Sequence, residues 1–319
     1  MDLQYGIVTE NRLDCYLCGS SGRTLHQDCS DRLFGVPGTW TFKQCANDQC
    51  GLIWLDPRPT RATIGKAYHS YYTHDSSQVQ RTVWANALRP LLQGLAVRLL
   101  GLHHERRQYK QMYLDQCSPG NLLEVGCGNG KRLERLRALG WDVMGQEIDA
   151  VAAAHVQASK AIPVHLGELE TLDAQDRFDV VLLSHVIEHV HDPSALLQTC
   201  YTLLKPGGRL IVLTPNVASL GHRRFGSAWR GLEPPRHLHL FNGNTLQHLV
   251  RQASFSQYKH WTTMVSAFAI AENSGRRRAT NQPITVRDVL RGFRFQLTAG
   301  LVYLRDKHCG EECVVMAIK

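Results

Sequence analysis

Nowhere does the 319-residue chain run to the roughly 18 uncharged apolar positions that a membrane-crossing helix requires. Its opening, MDLQYGIVTENRLDC, lacks a basic segment leading into an apolar one, so no secretory leader is expected and a cytoplasmic location is. Internal repeats and low-complexity tracts are missing, which excludes solenoids, fibres and disordered tails. Charge is sparse at 20% and apolar content stands at 43%, the composition of an ordinary globular protein. In a reducing cytoplasm the ten cysteines read as metal ligands or buried thiols rather than disulfides.

Acidic residues are in the minority, leaving a formal net charge of +8. Counted by region, residues 1–60 carry −2, residues 61–118 carry +5 and the remainder +5. An excess spread this way suits an anionic small molecule, a phosphorylated lipid, RNA or a plain solvated surface, and selects none of them.

Three regions follow from pattern: a cysteine-bearing module (1–60), a helical bridge (61–118) and an α/β domain (119–319). The first holds five of the ten cysteines and closes with LDPRPT, whose prolines read as a linker. The second contains ALRPLLQGLAVRLLGL, apolar on one side and basic at intervals. After Pro119-Gly120, the runs NLLEVG, DVMGQEI, IPVHLG, FDVVLLS and RLIVLTP alternate with helical spacing, which indicates a parallel sheet.

At the tip of the first of these strands stands E-x-G-x-G-x-G: Glu124, Gly126, Gly128 and Gly130. Glycines there permit a tight turn and close approach of a ligand to the backbone. A P-loop is excluded, because Arg132 stands where a Ser or Thr must reach magnesium. The dinucleotide fingerprint fails as well, since its third glycine would fall on Lys131. A second acid, Glu147, ends the next strand, where a carboxylate accepts hydrogen bonds from ribose hydroxyls. The site therefore wants an adenosine-like ligand without a pyrophosphate.

LLEVGCGNG, GQEID, FDVVLLSHVIEHVHDP and LLKPGGRLIVLTPN together resemble the successive motifs of class I S-adenosylmethionine-dependent methyltransferases, over about residues 119–260. The resemblance implies a Rossmann-like α/β fold with a seven-stranded sheet whose last strand, ECVVMAIK, inserts antiparallel. It places Glu124 near the methionine amino group, Gly126, Cys127 and Gly128 along the cofactor, and Glu147 with Ile148 at the ribose. Glu168 and Leu169, in HLGELETL, fall near the adenine, and Ser184 and His185 flank the transferred methyl. The cofactor expected is S-adenosyl-L-methionine.

HVIEH, residues 185–189, matches the H-x-x-E-H pattern of a zinc peptidase letter for letter. It follows a strand directly, whereas that chemistry needs both histidines on one face of a buried helix, so a metal is not expected there. The remaining question is whether a histidine serves as base for an alcohol acceptor. His185 and His189 lie nearest the expected methyl; His237 and His239, in EPPRHLHLF, come from the opposite wall. His237 is favoured, because FGSAWRGLEPPRHLHLF looks like an acceptor-side loop in which Trp229 supplies an apolar wall and Arg236 an anion contact.

Cys15-x2-Cys18 and Cys45-x4-Cys50 each end in glycine and make two knuckle-like turns. Four thiolates in a tetrahedron form a closed, structural Zn2+ site, and the module is expected to be zinc-ribbon-like. The 26 residues between the pairs include His26 and Cys29, alternative ligands. The following segment, CGLIWLDPRPTRATIGKAYHSYYTH, resembles the bridge of bacterial polysaccharide and secondary-metabolite methyltransferases, which implies that Tyr68, Tyr71, Tyr72 and His74 cover an acceptor pocket.

The expected activity is methyl transfer to a small-molecule acceptor (sugar, glycan intermediate or other metabolite) at a hydroxyl oxygen. An RNA methyltransferase is the alternative, disfavoured by the acidic first 60 residues and the lack of basic-aromatic stretches. A scaffold without chemistry is a third reading. The amphipathic basic stretches 88–110 and 286–305 allow a peripheral membrane contact to a lipid-linked or isoprenoid acceptor. Packing against the sheet domain and each other is the preferred expectation for them.

Overall fold

Alternation along the strands sorts the core into two layers. Leu122, Val180 and Leu182 fall in one buried cluster, and Leu123, Val181 and Leu183 in another, as a period of two dictates when both faces of a parallel sheet are covered. The computed structural model describes residues 6–68, 81–275 and 283–319. Tyr71, Tyr72 and His74 lie outside the described residues.

In chain order the strands are β1 (Thr9–Glu10), β2 (Gly22–Cys29), β3 (Trp40–Cys45), β4 (Ile53–Leu55), β5 (Arg58–Pro59), β6 (Asn121–Val125), β7 (Asp142–Glu147), β8 (Val164–Leu166), β9 (Phe178–Ser184), β10 (Leu204–Pro215), β11 (His239–Leu240), β12 (Gln257–Thr263) and β13 (Glu312–Ile318). The helices are α1 (Val83–Leu99), α2 (His103–Lys110), α3 (Lys131–Arg137), α4 (Ala150–Lys160), α5 (Pro193–Leu203), α6 (Leu220–Phe225), α7 (Gly243–Gln252), α8 (Ala267–Asn273) and α9 (Val286–Arg305).

Seven strands form the main sheet in the order β12-β13-β10-β9-β6-β7-β8. Strands β8, β7, β6, β9 and β10 are parallel, while β13 inserts antiparallel between β10 and β12. Every strand expected from the apolar runs is present, and the fold is the Rossmann-like methyltransferase sheet. β6 lies between β7 and β9, so the chain order reverses beside it and opens a crevice at the strands' carboxyl ends. One layer packs α3 and α4 against the sheet, the other α5 and α7.

The cysteine module carries its own four-stranded sheet, β11-β4-β3-β2. Its edge strand β11 comes from residue 239, far beyond the module. Trp40, Phe42, Ile53 and Leu55 share a core with Trp229, Leu232, Leu238 and Leu240. Tyr16, inside the first cysteine turn, donates to Asp192 Oδ1 (2.5 Å) at the start of α5. The module is thus clamped to the catalytic face at two places.

The stretch expected to be helical over 88–110 breaks at Gly101, whose φ is +65°, giving α1 and α2; the stretch 286–305 is α9 as expected. A Cβ on Gly292 would lie 2.8 Å from the Phe268 carbonyl oxygen, so glycine lets α9 approach α8 closely. α1 and α9 do pack together, yet each leaves a second apolar stripe exposed. No described helix is long and apolar enough to cross a membrane.

Candidate active site

The glycine turn begins where β6 ends. Gly126, Gly128 and Gly130 all take positive φ (+62°, +52° and +67°), the left-handed region that side chains disfavour. A Cβ on Gly126 would also meet Val186 at 2.8 Å. The turn is tied to the next strand by Gln146, whose Oε1 accepts from Gly126 N–H (3.2 Å) and whose side-chain amide donates to Gly167 O (2.6 Å). Gln146 has no sequence signal beyond being an amide one residue before Glu147. Cys127 packs inward and burial pushes its thiol up to about 12, so any contact it makes with a cofactor is through its backbone.

Glu147 is aimed by the backbone. Its Oε2 accepts from Gly128 N–H (2.8 Å), and its Oε1 from Ile148 N–H (2.9 Å) and Asp149 N–H (3.1 Å). A carboxylate offers about four acceptor sites, so capacity remains for a hydroxyl donor. Ile148, the next residue, is an apolar side chain left 63% exposed. Leu169 is buried, whereas Glu168 is an exposed residue capping the short turn that follows β8.

Glu124 is buried and ion-paired to Arg132 through Oε1. Burial raises its carboxyl and Arg132 opposes that. Its Oε2 has no hydrogen-bond partner among the described residues, nor does Ser184 Oγ at the tip of β9. Two orphaned buried polar atoms beside a glycine cradle are what a bound polar ligand would complete. These residues fit S-adenosyl-L-methionine: Glu124 toward an ammonium group, the glycines along its length, Glu147 on the ribose.

HVIEH forms a bend and one 3-10 turn over Ile187–His189, so no helix presents its histidines on one face. His185, at φ +57°, lies between two carboxylates, with Nε2 2.9 Å from Glu312 and Nδ1 3.3 Å from Glu188. Partial desolvation of its ring, which stays about 40% exposed, would lower its pKa, but the hydrogen bonds to Glu188 and Glu312 raise it to about 10. At neutral pH it is an imidazolium and has no lone pair with which to take a proton.

His237 is the opposite case. Its Nδ1 donates to Gly231 O (2.7 Å), which leaves Nε2 as an acceptor, 4.0 Å from the Glu233 carboxylate. Burial lowers it to about 4 against the pull of Glu233, so it is neutral at pH 7. His189 packs edge-to-face on it with ring centroids 4.6 Å apart; burial and that neighbour hold it at about 4. Tyr68, from the bridge, reaches His189 Nδ1 (3.0 Å). Ligand atoms of Glu188, His189 and His237 lie within 4.8 Å of one another, although Glu188 already accepts from Thr214 Oγ1 (3.0 Å). His239 is buried and bonded to Val190 O, away from this group.

Two expectations for the acceptor loop are corrected. Arg236 is fully buried, paired with Asp31 (2.9 Å) and Glu233 (3.1 Å) and laid over the Phe34 ring. It ties the loop to the cysteine module and offers no anion contact. Trp229, 2% exposed, stacks on His222 within the module's shared core rather than walling a pocket.

In the cysteine module, Cys18 Sγ and Cys45 Sγ are 3.4 Å apart and Cys15 Sγ and Cys50 Sγ 3.7 Å, with all four within 4.8 Å. Tetrahedral zinc with bonds of about 2.3 Å sets sulfurs about 3.8 Å apart. The residues fit Zn2+ in a closed structural site. His26 and Cys29 are not among the four; His26 Nε2 meets His222 Nε2 at 2.9 Å.

Comparisons with known proteins agree with this geometry. A methyltransferase-domain family model matches residues 102–259. Ubiquinone biosynthesis O-methyltransferase of Bradyrhizobium sp. (strain ORS 278) is 40% identical over 100 residues, 30% of this chain and 40% of that protein. The protein of the same name from Rhodopseudomonas palustris (strain TIE-1) is 41% identical over 100 residues, again 30% and 40%. The chain thus spans about 40% of the length of these curated relatives. Among solved structures, phosphoethanolamine N-methyltransferase 2 of Haemonchus contortus aligns with a TM-score of 0.50 at 14% identity, over 88% of this chain and 69% of that one, a likeness of fold alone. The glycine turn, the Glu147 carboxylate beside it and the antiparallel last strand agree with the family match, and residues 102–259 form a class I S-adenosylmethionine-dependent methyltransferase domain.

Proposed function

We propose that this chain moves the methyl group of S-adenosylmethionine to a hydroxyl oxygen of a small organic acceptor, with His237 taking the hydroxyl proton. The carrying observation is the His237 ring: buried, neutral, with Nδ1–H fixed on Gly231 O and Nε2 left as the acceptor. When bound, the cofactor supplies an electrophilic methyl on a sulfonium sulfur. The protein's work is then alignment and proton removal. His185, fixed as a cation between Glu188 and Glu312, orders the floor of the site. His189 holds His237 edge-on, and Tyr68 ties the bridge to His189.

An imidazole with its pKa near 4 is a weak base, so it serves an acidic hydroxyl better than an aliphatic one. A phenol, ordinarily near 10, meets that condition and a sugar hydroxyl does not. The names of the relatives, O-methyltransferases of ubiquinone biosynthesis, support oxygen as the receiving atom. A phenolic or enolic metabolite is therefore the preferred acceptor, and a glycan intermediate the second reading, carried only by the zinc-bearing module and its bridge.

The test is a panel of catechols, hydroxybenzoates and nucleotide sugars incubated with zinc-loaded enzyme and S-adenosylmethionine. Expected is turnover on phenols, with His237→Gln lowering kcat by about 10²–10⁴ while leaving cofactor affinity unchanged. Undiminished turnover in that variant would remove His237 as the base, and transfer to nucleotide sugars alone would replace the phenolic acceptor.

A further inference from the structure

We infer that the paired helices α1 and α9, with the cationic cleft beside them, form a surface that docks this enzyme on an anionic lipid bilayer. Eight of the thirteen large apolar side chains standing exposed among the described residues belong to these two helices. On α1, Trp84 (77% exposed), Leu91, Leu95 and Leu99 recur at helical spacing and make one stripe. On α9, Leu290, Leu301 and Leu304 (72% exposed) make a second.

The two stripes belong to one platform. The helices start together, since Thr82 N–H donates to Ile284 O (2.9 Å), and they end together, with Gly300 set against Leu100. Their other sides are filled by α8 and the sheet domain through Phe268, Val289 and Phe295. Ordinary packing therefore accounts for one face of each helix and leaves the other. Scattered exposed leucines need no explanation, but aligned ones on neighbouring helices do.

Charge selects the occupant. Helices α1, α2 and α9 carry nine Lys/Arg against two Asp/Glu, a net of +7 in a chain whose total is +8. Gly94 and Val97 of α1 wall a cleft of about 440 Å³ into which His103, Arg106, Arg107, Lys110 and Arg135 also face. Gly94 is one turn from Leu91 and from Arg98, so the cleft opens along the flank of the apolar stripe. Apolar side chains bordered by cations match the acyl–headgroup boundary of a bilayer bearing anionic lipid. A second copy of the chain would bring like charges together, and RNA would leave the leucines in water.

The surface is this chain's own. α1 and α9 both lie outside residues 102–259, the part matched by the methyltransferase-domain family. It stands whichever acceptor the active site takes. It also adjoins that site, because Tyr109, on the same helix as Arg106 and Lys110, donates to the Glu312 carboxylate that holds His185 (3.1 Å).

The test is flotation of the full, zinc-loaded chain with vesicles of phosphatidylcholine alone or with about one third phosphatidylglycerol. Expected is recovery with the anionic vesicles, at least tenfold less with the neutral ones, and weakening by salt. The Leu95→Glu/Leu301→Glu pair should cut recovery at least tenfold, and Arg107→Glu/Lys110→Glu should cut it and weaken the salt dependence. Calorimetry with S-adenosylmethionine checks that each variant is folded, since none of the four residues touches the cofactor crevice. No flotation of the parent chain overturns the inference, and so does flotation indifferent to both variant pairs. A dimer dissolved by Leu95→Glu/Leu301→Glu, or salt-sensitive RNA retention lost in Arg107→Glu/Lys110→Glu, overturns it if flotation is absent.

Discussion

Asp31, in the cysteine module, and Arg236, in the loop leading to β11, form an ion pair of 2.9 Å with both side chains fully buried. The pair joins residues 205 positions apart, and Asp31 also accepts from the N–H groups of Leu33, Phe34 and Val36. Arg236 immediately precedes His237, so the module's anchor and the proposed base share one piece of backbone. Removing one partner of a buried pair leaves an uncompensated charge, which costs about 3–5 kcal/mol. Asp31→Ala should lose about that much in a denaturant melt of zinc-loaded protein. A loss below about 1 kcal/mol would mean that Arg236 finds water instead.

Zinc removal should act on the same junction. Burial pushes Cys15, Cys45 and Cys50 up to about 11, while the Ser20 hydroxyl lowers Cys18 to about 6. Three of the four must give up protons to bind the metal, so uptake releases protons and weakens as pH falls. Chelation should lower the melting temperature and abolish acceptor turnover, because β4 and β11 lose their support. Affinity for S-adenosylmethionine, whose proposed contacts lie on β6, β7 and β9, should stay within about threefold by calorimetry. Metal analysis of Cys45→Ala should find no zinc retained.

Legibility in the sequence followed distance along the chain. The strand runs, the glycine turn and Glu147 were readable because each is a local pattern of a few residues. β12 was missed: QYKHWTT carries its alternation on a sheet edge where only its last residues are buried. Pairing β11 with β4 was not readable either, since HLHL shows no signal of its partner 185 positions earlier. The roles of the histidines depend on what surrounds them. His185 and His237 look alike as letters, yet two carboxylates make one a cation, while burial keeps the other neutral and the Gly231 carbonyl fixes its Nδ1–H. Arg236 read as a free anion contact because nothing nearby in sequence announces Asp31.

At the cofactor crevice, Glu147→Ala deletes the acceptor of three backbone N–H groups together with the proposed ribose contact. The affinity of S-adenosylhomocysteine should fall at least tenfold, about 1.4 kcal/mol or more by titration calorimetry. Gly126→Val should do as much through a different cause, because φ of +62° and the Val186 methyl at 2.8 Å leave no place for a side chain. Retained affinity in both variants would place the cofactor elsewhere.

Stability should peak near pH 6.5. His189, His237 and His239 are held by burial at about 4, 4 and 3 in the folded chain, below the ordinary 6.5. Between those values and 6.5 the unfolded chain binds more protons, so stability is present above 6.5 and is lost as pH falls toward 4. Glu311, raised by burial to about 7 from 4.5, pulls the other way over part of that range, one group against these three and His26, which burial also lowers to about 4. Above 6.5 the sign reverses. His185 is raised to about 10 by Glu188 and Glu312, so its contribution is full below 6.5 and drains away as pH climbs toward 10. Urea melts at saturating zinc should therefore give a maximum unfolding free energy between about pH 6 and 7. Replacing His185 with Gln should flatten the alkaline limb and leave the acid limb in place. A maximum that stays on the alkaline side in the parent chain would show that His185 is not held as a cation.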